Sequence, residues 1–166
     1  MDFELDSVDV ITAFLLADLK EEIYVKIPDG YPTQQGKGGK VLRLLKSLYG
    51  LKQSPRAWNE ALDTYLKSMG CMPTLSEQCI YVGLWQTTTC YILVYVDDML
   101  IAAPNWKIMA NIKAKIHLRY SITNNGPLSF WLNMHFIRNK TTIKISIHQD
   151  PKIAKLLNDK RYTPKD

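Results

Sequence analysis

The sequence predicts an α+β fold in which helices pack on one face of an antiparallel sheet. Three observations carry that reading. Trp58, Ala61, Leu62, Tyr65, Leu66 and Met69 recur at steps of three and four, the period of a helix with one apolar face. Residues 80–86, 90–95 and 99–103 are short β-forming runs separated by tight turns, which makes an antiparallel meander. Helical and strand patterns also interleave along the chain with no internal repeat or low-complexity tract, the order expected of helices laid on a sheet.

Taken in order, residues 5–9 read as a short strand ending at Asp9, and residues 12–19 as a short apolar helical or turn segment. Ile23, Val25 and Ile27 alternate with Glu22, Tyr24 and Lys26, a strand closed by the turn residues Pro28-Asp29-Gly30. Residues 31–40 hold Pro32, Gly36, Gly38 and Gly39 and form a loop. They do not complete G-x-x-x-x-G-K-[ST], so a P-loop is excluded. Residues 41–48 are strand-like. The clearest helix follows, with Ser54 as N-cap, Pro55 at the first helical position and Gly70 beyond the end. After the meander, Asn105 caps a helix to about Arg119, with Ile108, Met109, Ile112 and Ile116 on one face and Lys107, Lys113 and Lys115 on a solvated one. Residues 129–138 and 142–148 read as a hairpin about Asn139-Lys140, and Asp150-Pro151 opens a last helix through Leu157.

With 166 residues, 46% of them hydrophobic, the chain suits a single domain, 1–166, with a real core. A net charge of +5 and a pI near 9.0 favour an acidic partner such as nucleic acid without naming one. Three cysteines make no C-x-x-C, so neither a disulfide framework nor a zinc knuckle is expected, and a reducing compartment fits. The N-terminus lacks the basic flank and apolar core of a signal peptide, and no apolar run reaches membrane-spanning length. The expectation is an intracellular protein with no membrane partner.

Tyr95-Val96-Asp97-Asp98 sets two adjacent carboxylates between apolar β-formers. Two unpaired carboxylates about 4 Å apart repel by roughly 4 kcal/mol at an effective dielectric near 20, so a cation, protonation or solvent must offset the repulsion. A divalent metal is the simplest offset; an Asp-rich hairpin turn is the plain alternative. Asp9 ends its strand where the chain turns into residues whose backbone N–H groups could meet a phosphate. If that strand lies beside the Asp97-Asp98 hairpin, three carboxylates converge, enough to hold two divalent ions about 3.5 to 4 Å apart for in-line phosphoryl transfer. A metal-dependent phosphohydrolase would need a water-activating group near them, and His117, His135 and His148 show no ligand-like spacing.

Asp9-Val10-Ile11-Thr12-Ala13-Phe14-Leu15, then the run from Ser47-Leu48-Tyr49-Gly50 through Lys52-Gln53-Ser54-Pro55-Arg56-Ala57-Trp58, then Tyr95-Val96-Asp97-Asp98, in that order and spacing, resemble the reverse transcriptase of copia-type LTR retrotransposons. The middle motif is long and family-specific, and the resemblance covers nearly all of the chain. It implies a polymerase palm-like sheet with partial fingers, residues 20–60 on the finger side and 128–166 forming the primer-grip hairpin and the start of the thumb connection. It implies that Asp9, Asp97 and Asp98 are the catalytic carboxylates, and that these with Val10 hold two Mg²⁺ ions, Mn²⁺ being possible. Ile11, Thr12, Ala13 and Phe14 would line the incoming dNTP with Tyr49 and Gln53, and the Phe14 ring would crowd a ribose 2′-hydroxyl. Lys52, Ser54, Pro55, Arg56, Tyr95, Val96, Leu132 and Asn133 would meet template and primer, with Arg138 and Lys140 nearby on the backbone.

The implied activity is RNA-directed DNA polymerisation, moving a nucleotide from dNTP to a primer 3′-hydroxyl on an RNA or DNA template. The implied context is a Gag-Pol polyprotein with integrase and RNase H, cytoplasmic in a virus-like particle if the element is active. The family carries finger strands ahead of the first aspartate, whereas Met1 stands close before Asp9. The expectation is therefore an N-terminally truncated fragment whose isolated activity is open, the alternative being a catalytically inactive relic that still binds RNA or DNA. Three positions depart from the family pattern: Leu16-Ala17 stands for Asn-Gly, Leu132-Asn133 for Leu-Gly, and Lys152 for an aromatic.

Overall fold

The computed structural model describes residues 2–28, 30–31 and 41–158. Its centre is a six-stranded antiparallel sheet built from β1 (Glu4–Val10), β4 (Cys71–Pro73), β5 (Ile80–Trp85), β6 (Thr88–Tyr95), β7 (Asp98–Ala103) and β8 (Ile122–Pro127), in the order β4-β5-β6-β7-β1-β8. β2 (Tyr24–Lys26) and β3 (Val41–Arg43) make a separate ribbon, and β9 (Phe130–Trp131), β10 (Met134–Asn139) and β11 (Lys144–His148) a three-stranded sheet. The helices are α1 (Ala13–Leu16), α2 (Ser54–Ser68), α3 (Trp106–Arg119) and α4 (Asp150–Leu157). The α+β expectation is met. Among the described residues no helix is long and apolar enough to cross a membrane.

Strand alternation sorts the central sheet into two faces. Val8 and Val10 of β1, Ile92 and Val94 of β6, and Met99 and Ile101 of β7 fall on one face by register and are buried. They form one core with Trp58, Leu62 and Leu66 of α2 and Ile108, Met109, Ile112 and Ile116 of α3. The apolar stripe read in the α2 sequence is thus a sheet-packing stripe. Removing that much apolar surface from water is the main stabilising term.

Lys113 of α3 reaches into the edge of this layer and pairs with Asp6 of β1 while donating to the Asn124 side chain at 2.6 Å. It is the partner that lets Asp6 sit with its side chain only 19% exposed. This corrects the reading of Lys113 as part of a solvated face. Arg138 of β10 pairs with Asp2 and lies 3.7 Å from Glu4, and Lys140 pairs with Glu4 at 2.7 Å. Those contacts tie the small sheet to the first strand. Arg138 and Lys140, the cations expected near a nucleic-acid backbone, are thus each paired with a carboxylate.

Several boundaries differ from the sequence expectation. The strand expected over 41–48 stops at Arg43; the Leu44 N–H still donates to the Ile23 carbonyl, and beyond it only an isolated bridge of Lys46 to Asp18 remains. Most of the expected loop over 31–40, and Asp29 of the preceding turn, lie outside the described residues. Ser54 is the first residue of α2, not its cap; Gln53 occupies the cap, and the Ser54 hydroxyl donates to the Leu48 carbonyl at 2.6 Å. The expected strand over 129–138 is broken at Leu132-Asn133, whose φ values of 49° and 61° fold it into a tight hairpin. Positive φ at both turn residues is the type I′ pattern, and Asn tolerates it.

Candidate active site

β1 pairs with β7 so that Asp9 lies opposite Asp98, and β6 pairs with β7 so that Tyr95 lies opposite Asp98 from the other side. Asp9, Asp98 and Tyr95 therefore form a row across three strands on the face away from the core. Val96 and Asp97 are the two residues of the turn joining β6 to β7. The Asp97 carbonyl accepts the Val10 N–H at 2.9 Å, which fastens the turn to the end of β1. The sequence's condition for convergence, the Asp9 strand beside the Asp97-Asp98 hairpin, is met by this register.

The electrostatics follow from that proximity. Burial raises the Asp9 carboxyl above its ordinary pKa, and the Asp97 charge adds to the rise. Asp98 is raised by burial first, then by the charges of Asp9 and Asp97. Each shift reports an anion held where anions are disfavoured. Among the described residues, no three His, Cys, Asp or Glu side chains approach closely enough to form a complete metal-holding group. The arrangement is a charge-coupled acidic row beside a turn.

Two β-branched residues flank the row in the left-handed backbone region, Thr12 at φ 55° and Val96 at φ 59°. Such conformations cost about 1–3 kcal/mol each and persist only where the surroundings enforce them. At Val96 the enforcing contact comes from α2: Trp58, 1% exposed, donates its indole N–H to the Val96 carbonyl at 2.7 Å. The sequence pattern identifies Trp58 as core, which it is, but periodicity carries no information on where its N–H points.

After Asp9, the Val10 and Ile11 amides are engaged by the Asp97 and Ser121 carbonyls, so they are not the free donors expected there. The amides at the start of α1, which have no intrahelical partner, remain for an anion. Ala13 is buried, whereas Ile11 and Thr12 are exposed. Phe14 packs on Tyr49 with ring centroids 4.9 Å apart, so two residues expected at the nucleotide come together. The Ser47 hydroxyl donates to the Phe14 carbonyl and the Ser47 amide to Ala17 at 2.9 Å, holding α1 against the residues before α2. Ser47 was legible only as a member of its motif.

The residues expected at template and primer divide. Ser54 is fully buried, which removes its side chain from reach of a strand. Gln53 and Arg56 line a charged cleft of about 450 Å³ with Lys20 and Glu60, where Glu60 pairs with Arg56 at 2.9 Å and with Lys20 at 2.5 Å. Lys52 and Pro55 are exposed, the latter in the first turn of α2. Tyr95 and Val96, 59% and 44% exposed, stand at the open end of the sheet. Leu132 and Asn133 meet Tyr95, Asp98 and Ser7 across a cleft of about 560 Å³, so the β9–β10 hairpin tip overhangs the acidic row.

Fold and site together define an α+β domain with an acidic centre on the sheet face opposite its helices. Residues 2–165 match the model of the family described as reverse transcriptase (RNA-dependent DNA polymerase), and the chain belongs to that family. Among similar proteins is the Retrovirus-related Pol polyprotein from transposon TNT 1-94 of Nicotiana tabacum, 37% identical over 158 residues, which are 95% of this chain and 12% of that protein. A putative transposon Ty5-1 protein of Saccharomyces cerevisiae is 34% identical over 91% of the chain and 48% of its own length. The Retrovirus-related Pol polyprotein from transposon RE1 of Arabidopsis thaliana is 33% identical over 83% of the chain and 9% of its own length. The chain thus spans about half or less of each of these relatives. The resemblance to copia-type reverse transcriptases is borne out.

Proposed function

We propose that this chain is the palm and partial fingers of an RNA-directed DNA polymerase that extends a primer on an RNA or DNA template. The observation that carries the reading is the pairing of Asp9 with Asp98 beside the Asp97 turn, at the open end of the sheet and under the β9–β10 hairpin. In the reaction the primer 3′-oxygen forms a bond to the dNTP α-phosphorus, the bond from that phosphorus to the bridging oxygen breaks, and pyrophosphate leaves.

Asp9, Asp97 and Asp98 with the Val10 backbone would hold Mg²⁺, with Mn²⁺ as a substitute. The donor set fits: carboxylate oxygens are hard ligands, their mutual repulsion favours a cation, and Mg²⁺ often takes only one or two carboxylates plus substrate phosphates, so no closed protein cage is required. When bound, the ions neutralise charge developing on the phosphate and activate the hydroxyl. The chain's own residues position the reactants. The amides from Thr12 to Phe14 face the triphosphate, and Phe14, buttressed by Tyr49, excludes a 2′-hydroxyl by sterics. Leu132 and Asn133 hold the primer end over Asp98. The domain would act within a Gag-Pol polyprotein in a cytoplasmic particle.

Primer extension on an RNA template tests the reading. The expected result is extension with dNTPs in Mg²⁺ or Mn²⁺, loss in Asp97→Asn, and acceptance of ribonucleotides in Phe14→Val. Salt-sensitive RNA binding without extension, by this chain and by one lengthened with its upstream reading frame, would instead support a non-catalytic relic.

A further inference from the structure

We infer that Trp58 is a positioning residue for the carboxylate turn: its indole N–H, through the Val96 carbonyl, holds Val96 in the left-handed conformation that brings Asp97 and Asp98 to the end of β1. The inference deepens the polymerase reading, although its first test does not depend on it. Only the first of the two turn residues, Val96, has positive φ, the φ signature of a II′ turn, where glycine is the preferred occupant. Valine there is disfavoured by its own branched side chain, so the turn must be held from outside.

Two hydrogen bonds do this on either side of the strained peptide. Trp58 Nε1 donates to the Val96 carbonyl at 2.7 Å, and the Val10 amide donates to the Asp97 carbonyl at 2.9 Å. The first comes from α2 and the second from β1, so the turn is clamped between the two elements that also carry the core. The Trp58 ring is itself fixed, packed edge-on against Tyr120 with centroids 5.1 Å apart, and Tyr120 donates its hydroxyl to the Ala61 carbonyl of the same helix. The donor therefore has little freedom to follow the turn if the turn moves. A phenylalanine would keep most of the packing and lose only the N–H.

This separates positioning from simple core packing. In Trp58→Phe, hydrogen exchange at the Val10 amide should quicken by about tenfold, the scale of one lost hydrogen bond to a part-buried acceptor, while core amides such as that of Ile92 keep their protection. In Val96→Gly the backbone needs no external hold, so adding Trp58→Phe should change Val10 exchange by less than about twofold. Unchanged Val10 exchange in Trp58→Phe, or an equal acceleration in both backgrounds, would overturn the inference. Mn²⁺ affinity measured by calorimetry supplies the functional readout and should fall in Trp58→Phe but not further in the double variant. A parent chain that binds no Mn²⁺ would count against the polymerase metal site, and the exchange data would still decide the role of Trp58.

Discussion

Replacing Asp98 by Asn should stabilise this protein at neutral pH, the reverse of what most substitutions do. Asp98 stands directly opposite Asp9 in the β1–β7 register, and side chains so placed begin about 5 Å apart. Two unit charges at that distance repel by about 3 kcal/mol at an effective dielectric near 20 and by about 0.8 kcal/mol in water. Both carboxylates are half-exposed, so an intermediate gain of about 1–2 kcal/mol is expected, or roughly 2–8 °C in Tm for a chain of this size. The pH dependence has a definite sign. Both carboxyls have pKa values raised in the folded state, by burial first and then by neighbouring carboxylates. Protonation therefore relieves the fold: the penalty is present in full above the folded pKa values and fades as pH falls toward the ordinary carboxylate value. The Asn variant's advantage should be largest near pH 7 and shrink toward pH 4. Millimolar Mg²⁺ should raise the parent's Tm more than the variant's. Thermal unfolding across this pH range, with and without Mg²⁺, is the assay. A variant no more stable than the parent at pH 7, or a gain that does not vary with pH, would refute the account of the acidic row.

Two other perturbations test the scaffold. Lys113→Met leaves Asp6 part-buried without its cation and should cost about 3 kcal/mol in urea unfolding, most of it recovered in Lys113→Met combined with Asp6→Leu. Of the three thiols, Cys79 is exposed whereas Cys71 and Cys90 are buried, so one equivalent should react with a maleimide in the native state and three after unfolding. Burial pushes the Cys71 thiol up to about 11, and burial with the Glu77 hydrogen bond and charge raises Cys79, so native labelling should be slow at neutral pH and accelerate as pH rises.

The parts of this molecule that could be read from its sequence are those whose burial is periodic. α2 and α3 have one apolar stripe each, and Asn105 caps α3 as its chemistry indicates, its side-chain oxygen accepting from the Lys107 and Ile108 amides. β5, β6 and β7 alternate between core and open face. β8 was missed because its residues, Ile-Thr-Asn-Asn-Gly-Pro, are those of a turn. It is a strand because β1 offers an unpaired edge, and a register shift between Ser7 and Val8 accommodates Asn124 to Gly126. β4 is a three-residue edge strand ending in Pro73, tolerable there but not inside a sheet. Within the site, the carboxylates were legible as a cluster of like charges, and the break at Leu132-Asn133 was legible only as a residue pair able to take positive φ. Hydrogen bonds such as Trp58 to Val96 were not legible, since they depend on where one side-chain atom points after two distant elements have packed.

The position of β1 in the sheet has a kinetic consequence. It lies between β7 and β8, strands that come far later in the chain, and the contact of Lys113 with Asp6 closes across 107 positions. Closing loops of that length costs entropy before any pairing repays it. The meander β5–β6–β7 and the helices can form from neighbours in sequence, while β1 must wait for β7, and β8, paired in the sheet with β1 alone, must wait for β1. Docking of β1 on β7 is then the step that adds Asp9 to Asp98. Like charges meet only once the meander is in place to receive β1, and a divalent cation present during refolding should speed that docking step more than the formation of the meander.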